Sequence, residues 1–232
     1  MMSVLQEKWQ KVIPALLQGG YIRVINFHNT PGFRVEEYER QLSFYREHFE
    51  SVSEEDLNVF FETKKWKKPK PGLILSFYNG YRNNYDIMYP LLEKYGFIGR
   101  FFVATEFLSI PAEYQKEYAG NHTLGLINDE YDDYRQALSW DEVRELGKRH
   151  IIASHTKTHS KLMLSSTHEE MAREIIDSKQ EIEEQLQREI SSFAWLGGEE
   201  YASNPGAAHY LKLAGYQYLF SNLKIEKITA KE

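Results

Sequence analysis

The chain has 232 residues, 42% hydrophobic and 27% charged, enough for one sizeable α/β or barrel domain with its own core. The net charge of −6 gives no field that would favour nucleic acid or an anionic membrane. The absence of cysteine excludes disulfides and thiolate metal sites, so any metal must be held by His, Asp, Glu or weaker oxygen ligands.

The stretch Met1 to Lys8 has no signal-peptide shape, and no run reaches the roughly 20 apolar residues of a membrane span. A cytoplasmic protein with no membrane insertion and no nucleic-acid partner is therefore expected. Aromatic residues make up 14% of the chain, including 16 tyrosines, a weak pointer to sugar binding because aromatics also fill cores.

Leu5, Trp9, Val12, Ile13 and Leu16 have helical spacing and predict a helix over 3–18, ended by Gly19-Gly20. Tyr21 to Phe27 predicts a strand, left through the loop His28 to Gly32. Helices follow over Val35 to Phe49 and Glu54 to Phe61. Lys64 to Lys70 reads as a solvated basic linker. The apolar run Gly72 to Phe77 predicts a buried strand ended by Tyr78-Asn79-Gly80. Asn84 to Tyr95 predicts a helix closed by Gly96, and Ile98 to Ala104 a strand. Thr105 to Ser139 reads as a long irregular loop, functional or mobile.

Ser139 caps a helix over Trp140 to Lys148, with Glu142 completing a capping box. Ile151 to Ala153 is the next strand, and two imidazoles, His155 and His159, stand just beyond it. A helical backbone there would put both rings on one face, where a cation could sit between them. Thr167 to Gln187 predicts an amphipathic helix with Met171, Ile175, Ile182 and Leu186 inward. Ser192 to Trp195 is a strand entering Leu196-Gly197-Gly198, Pro205 to Ala214 a helix stopped by Gly215, and Tyr216 to Phe220 a last strand. Strand and helix alternate, which predicts an α/β fold with a mostly parallel sheet, open or closed into a barrel. Residues suited to chemistry recur just past strand ends, where such folds gather their sites.

The order and spacing of these stretches resemble the polysaccharide deacetylases, the NodB-homology domain of carbohydrate esterase family four. Leu75-Ser76-Phe77-Tyr78-Asn79-Gly80 is similar to the family's Thr-Phe-Asp-Asp-Gly motif. Ser154-His155-Thr156-Lys157-Thr158-His159 matches its His-Ser/Thr-x-x-His motif. Phe193-Ala194-Trp195-Leu196-Gly197-Gly198 is similar to one form of its third motif, with the proline gone, and Asn26-Phe27-His28-Asn29 resembles the Tyr-His start of one branch. The resemblance spans Tyr21 to Leu223. It implies a distorted (β/α) barrel as a single domain over 1–232, with the helix 3–18 and the loop 105–139 as decorations.

The resemblance also implies a function in carbohydrate metabolism, with a glycan or acetylated sugar as partner and removal of N- or O-acetyl groups as the reaction. Family members hold a divalent metal, zinc foremost, on the second Asp of the first motif and both histidines. Those positions are Asn79, His155 and His159 here. The first Asp acts as base, and Tyr78 stands there; a phenol near pKa ~10 is a poor substitute for a carboxylate. The Arg that orients the base falls at Ala194, and no late acidic His is recognisable, His209 lying on a predicted helix surface. Trp195, Gly197 and His28 are candidate substrate contacts.

Two readings of the chemistry follow, and one of the fold competes with both. In the first, the chain is a deacetylase-fold protein with impaired metal-dependent deacetylation and a glycan-binding role. In the second, it is an active hydrolase of carbon–nitrogen bonds using a variant site, with Glu199, Glu200, His28, or Asp129 and Glu130 as substitute acids and bases. In the third, the histidine pair belongs to a different α/β protein, whose strand ends would not bring Asn79, His155 and His159 together.

Overall fold

The computed structural model describes residues 20–128, 130–196, 203–221 and 224–228. The expected helix over 3–18 lies outside them. One sheet organises the molecule, in the order β1-β3-β4-β5-β6-β7-β8. Its strands are β1 (Ile22–Phe27), β3 (Gly72–Asn79), β4 (Gly99–Val103), β5 (Ile151–Ser154), β6 (Ser192–Ala194), β7 (Tyr218–Phe220) and β8 (Ile225–Lys227). A two-residue strand, β2 (Glu50–Ser51), pairs with the start of β3. All pairings are parallel except β7 with β8. The sheet curls into a half-barrel with helices along its outer face, the architecture expected from the alternation of strand and helix.

β3 explains why the sheet has two buried faces. All eight of its residues are buried, as a continuous apolar run demands. Leu73, Leu75 and Phe77 point outward into the large core beneath the helices. Ile74 and Tyr78 point inward, where they meet Phe102, Ala153, Ala194, Tyr218 and Phe220. Neighbouring strands repeat the division: Phe77 stacks on Phe101 outside, and Tyr78 stacks on Phe102 inside at 4.9 Å between ring centroids. At the base of the inner face, the fully buried Arg100 is held by Glu54 and Ser192, each at 2.6 Å. A guanidinium at such depth needs that pairing to offset its lost hydration, and Glu54 reaches it from a partly exposed position.

The helices are α1 (Val35–His48), α2 (Glu54–Thr63), α3 (a π-helical turn Asn84–Met88 running into Tyr89–Tyr95), α4 (Thr105–Ser109), α5 (Gln115–Asn121) and α6 (Trp140–Gly147). α7 runs through His168–Ala172, a second π-helical turn over Arg173–Asp177, and Ser178–Leu186; α8 is Pro205–Leu213. The predicted capping box of α6 is present, and Ser53 with Asp56 and Thr167 with Glu170 form two more. Gly96 and Gly215 end their helices with φ of 74° and 75°, a conformation open to glycine at no steric cost. His209 is exposed on α8, as anticipated.

Two expectations need correction, the extent of the loop 105–139 and the end of the sheet. The segment 105–139 is not irregular throughout: it begins with α4 and α5, and Ala137 then bridges back to Tyr81. Its apolar residues Phe107, Tyr118, Ala119 and Leu124 bury a small core with Tyr81, and a run of acids and tyrosines in the sequence obscured that pattern. The basic stretch 64–70 is the solvated linker expected, with Lys64, Lys65 and Lys67 exposed, and it is anchored where the Trp66 indole donates to the Lys70 carbonyl and Lys68 pairs with Asp56. The sheet does not stop at β7, because β8 returns antiparallel beside it. The histidine segment, whose rings would share one face if its backbone were helical, is not helical.

Candidate functional site

The C-terminal ends of the parallel strands meet at one mouth. β3 ends in two consecutive left-handed residues, Asn79 (φ 78°) and Gly80 (φ 85°). Asparagine tolerates this region, whereas Gly80 needs it and has no room for more: a Cβ there would lie 2.7 Å from Leu108 Cδ1. The reversal turns the chain under the mouth and leaves Tyr78 as the last inward side chain of the strand.

Beyond β5, residues 155–159 form a tight irregular turn and not a helix. Thr156 and His159 both have positive φ, 68° and 58°. This turn, rather than helical periodicity, brings the rings of His155 and His159 to 5.2 Å between centroids. Each ring is fixed by a backbone carbonyl. His155 Nδ1 donates to Ala194 O at 2.9 Å, and His159 Nδ1 donates to His122 O at 2.7 Å. A carbonyl only accepts, so Nδ1 carries the proton and Nε2 keeps its lone pair in both rings.

Both imidazoles are neutral at physiological pH. Burial pushes His155 down to about 3, with help from the nearby His159, and burial also lowers His159. His28, at the rim, is lowered for the same reason and stacks on Tyr78 at 5.4 Å. Tyr78 is thus sandwiched between His28 and Phe102, with His155 at its edge 5.2 Å away. Burial raises its phenol to about 12, so it keeps its proton at neutral pH.

These side chains line one cavity of about 380 Å³. His28, Tyr78, His155, His159 and Trp195 form its working wall, and Asn26, Thr123, Lys161 and Leu196 complete it. Trp195 is only 6% exposed and its indole N–H has no partner among the described residues, so it is at once a core residue and a wall of the cavity. Asn79 is buried behind this wall; its amide nitrogen donates to the Tyr81 hydroxyl at 3.0 Å, and its Oδ1 has no hydrogen-bond partner among the described residues.

Two Nε2 lone pairs at the cavity and an orphaned amide oxygen behind its wall are donors of the kind an imidazole-preferring divalent cation takes. The set is electrically neutral, and among the described residues no group of three or more His, Cys, Asp or Glu converges on a possible ion. Affinity is therefore expected to fall below that of a site with a carboxylate.

Several candidates do not join the cavity. Glu130 accepts from Gly32 N and Asn83 Nδ2, which pins the 122–138 loop over the chain leaving β1. Gly197, Glu199, Glu200 and Asp129 lie outside the described residues. The motif reading missed Thr123, Lys161 and the carbonyl of His122, and nothing in the sequence marks them, since they reach the mouth through loop packing. Asn84 and Glu174 were visible only as helix residues; each occupies a π-helical turn and hydrogen-bonds a loop of the mouth.

A curled, mostly parallel half-barrel with a histidine pair past one strand end and an Asp-Asp position past another defines the class of NodB-type deacetylase folds. The polysaccharide deacetylase family model matches residues 65–219. The chain belongs to the polysaccharide deacetylase family. Solved structures agree on the fold. A Streptococcus pyogenes deacetylase, PplD, determined with acetate, superposes with a TM-score of 0.64 at 16% identity over 86% of this chain and 82% of its own. IcaB from Ammonifex degensii gives 0.63 at 17% identity, covering 88% and 84%. A de-N-acetylase from Aggregatibacter actinomycetemcomitans gives 0.62 at 20% identity, covering 90% and 89%. No curated protein sequence matches the chain at a significant level. Among the described residues, no helix is long and apolar enough to cross a membrane.

Proposed function

We propose that this protein binds an acetylated glycan at the histidine mouth and is impaired in the metal-dependent deacetylation typical of its family. The observation that carries this reading is Tyr78. It stands where family members carry the general base, yet it is buried, stacked on both faces and protonated up to about pH 12. A group in that state donates a hydrogen bond and does not take a proton from water. Losing a general base costs ~10²–10⁴ in rate.

The neighbouring positions support the same reading. Ala194 offers His155 its carbonyl, but its side chain is a methyl with nothing to orient a base. His155, His159 and Asn79 would hold a divalent ion, which when bound polarises an acyl oxygen and makes water more acidic. What the chain itself contributes is a shaped wall: Trp195 for an apolar sugar face or acetyl methyl, with only the edge of Tyr78 beside it, since His28 and Phe102 cover both Tyr78 faces.

Acetate release from N-acetylated chito-oligosaccharides and from acetylated peptidoglycan, with added zinc, tests this reading. The expected result is measurable binding of the oligosaccharides with release at least ~10²-fold below an active family member. Release at ordinary enzyme rates overturns it. One observation favours hydrolysis of a carbon–nitrogen bond by a variant site: His28 is a neutral imidazole stacked on Tyr78 at the cavity rim, able to act as a base. Loss of any hydrolysis found when His28 is replaced by alanine separates this reading from the first.

A further inference from the structure

The turn that pairs the histidines is costly in itself. Thr156 and His159 both occupy the left-handed region, which side chains other than glycine enter only when the surroundings hold them there. The hydroxyl of Thr156 is buried without a partner among the described residues, so it does not supply that support. Glu174 does.

Glu174 is only 4% exposed. Its Oε2 accepts from Lys157 N at 3.0 Å and from Thr158 N at 2.8 Å, and its Oε1 accepts from Thr158 Oγ1 at 2.8 Å. Three donors from the two residues between the histidines' flanks thus converge on one carboxylate. The Arg173 guanidinium approaches the same carboxylate at 3.9 Å. Glu174 belongs to the π-helical turn of α7, a local widening of the helix that recurs at functional sites. One turn further on, Ser178 meets Ser154 at 2.8 Å and fixes α7 against β5. The π-helical turn of α3 does the matching job on the other side of the mouth, where Asn84 donates to the carbonyl of His28 at 2.8 Å.

We propose that Glu174 is the positioning residue of the site: its buried carboxylate clamps Lys157 and Thr158 and so holds the left-handed turn that aims His155 Nε2 and His159 Nε2 into one cavity. This deepens the functional reading above and rests on it for the statement that the two imidazoles work as a pair. Glu174 lies behind the turn and acts through it.

The test follows the rings directly. Long-range proton–nitrogen correlation spectra of ¹⁵N-labelled, chelator-treated protein near pH 7.5 report which ring nitrogen is protonated. The unaltered protein is expected to show Nδ1 protonated and Nε2 bare in both His155 and His159. In Glu174→Ala, the His159 resonances should move toward tautomer-averaged values. His155 should move less, because Val103 O and Ala194 O hold it from strands β4 and β6. Glu174→Gln, which keeps one accepting oxygen, should fall between. Zinc affinity, measured by competition with a chromophoric chelator, should fall about 10–100-fold in Glu174→Ala, as for other residues that orient metal ligands.

A purely structural role would lower the melting temperature and leave the ring resonances of the folded variant in place; His159 resonances unchanged in folded Glu174→Ala overturn the proposal. If neither variant folds, Thr158→Val decides, since it removes one of the three clamped donors at little cost in volume, and an unmoved His159 there overturns the proposal too. If the unaltered protein binds no zinc, the metal-holding part of the functional reading fails, while the ring resonances still decide the role of Glu174.

Discussion

The buried His155 makes the fold sensitive to acid, and the size of the effect can be worked out. An imidazole titrates at 6.5 in the unfolded chain and at about 3 in the folded one. Between those values the unfolded state binds the proton and the native state refuses it, so stability rises with pH. The contribution is fully present above about pH 6.5 and is lost as pH falls toward 3. At about 1.36 kcal/mol per pH unit, the full window is worth about 5 kcal/mol, of which about 2 kcal/mol is gone by pH 5. That is a large part of the stability of an ordinary domain.

Urea unfolding with a chelator present, at pH 7.5 and pH 5, measures the loss. His150 and His159 are lowered in the same direction and add to the total, so the contribution of His155 must be isolated. His155→Asn does this, because its amide can still donate to the Ala194 carbonyl but does not titrate. The variant should be less stable at pH 7.5 yet lose about 2 kcal/mol less than the unaltered protein on going to pH 5. Equal losses in the two proteins would refute the claim that His155 is buried as a neutral base.

Three further outcomes are expected. Asn79→Asp should tighten zinc binding by about tenfold or more, because it gives a neutral donor set one negative ligand, and should lower the stability of the metal-free protein by burying a carboxylate at a position only 3% exposed; competition titration and unfolding with and without zinc check both signs. Gly80→Ala should cost about 2–4 kcal/mol, from the left-handed φ and the collision with Leu108, read from urea midpoints. Arg100→Ala should lower the urea midpoint in the same assay, because Ser192 loses its partner inside the barrel and the packed Arg100 side chain leaves a void, while the partly exposed Glu54 is resolvated and keeps Ser191.

Local signals in the sequence were sufficient for most of the architecture. The apolar run of β3, the cap at Ser139, and the glycines at 96 and 215 each report a preference set within a few residues, and each element formed near its expected place. The ordered motifs were also enough to give the family, because a strand end followed by a polar pair survives even when the pair itself has changed to Tyr78-Asn79. Segment 105–139 was misjudged because its helices are stabilised by packing on Tyr81 and Ala137, residues distant from them in sequence.

Residue identity alone was also enough to place a phenol and an amide where two carboxylates stand in the family, and hence to put the chemistry in question. It could not say what state those groups are in. The protonation of Tyr78 depends on Phe102 and His28 closing over its faces, and desolvation of that kind exists only once strands from distant parts of the chain are assembled. The pairing of His155 with His159 likewise comes from a left-handed turn held by Glu174 on another element, not from the four-residue spacing that first suggested it. Spacing constrains which side chains can meet; tertiary contacts decide which of them do, and in what charge state.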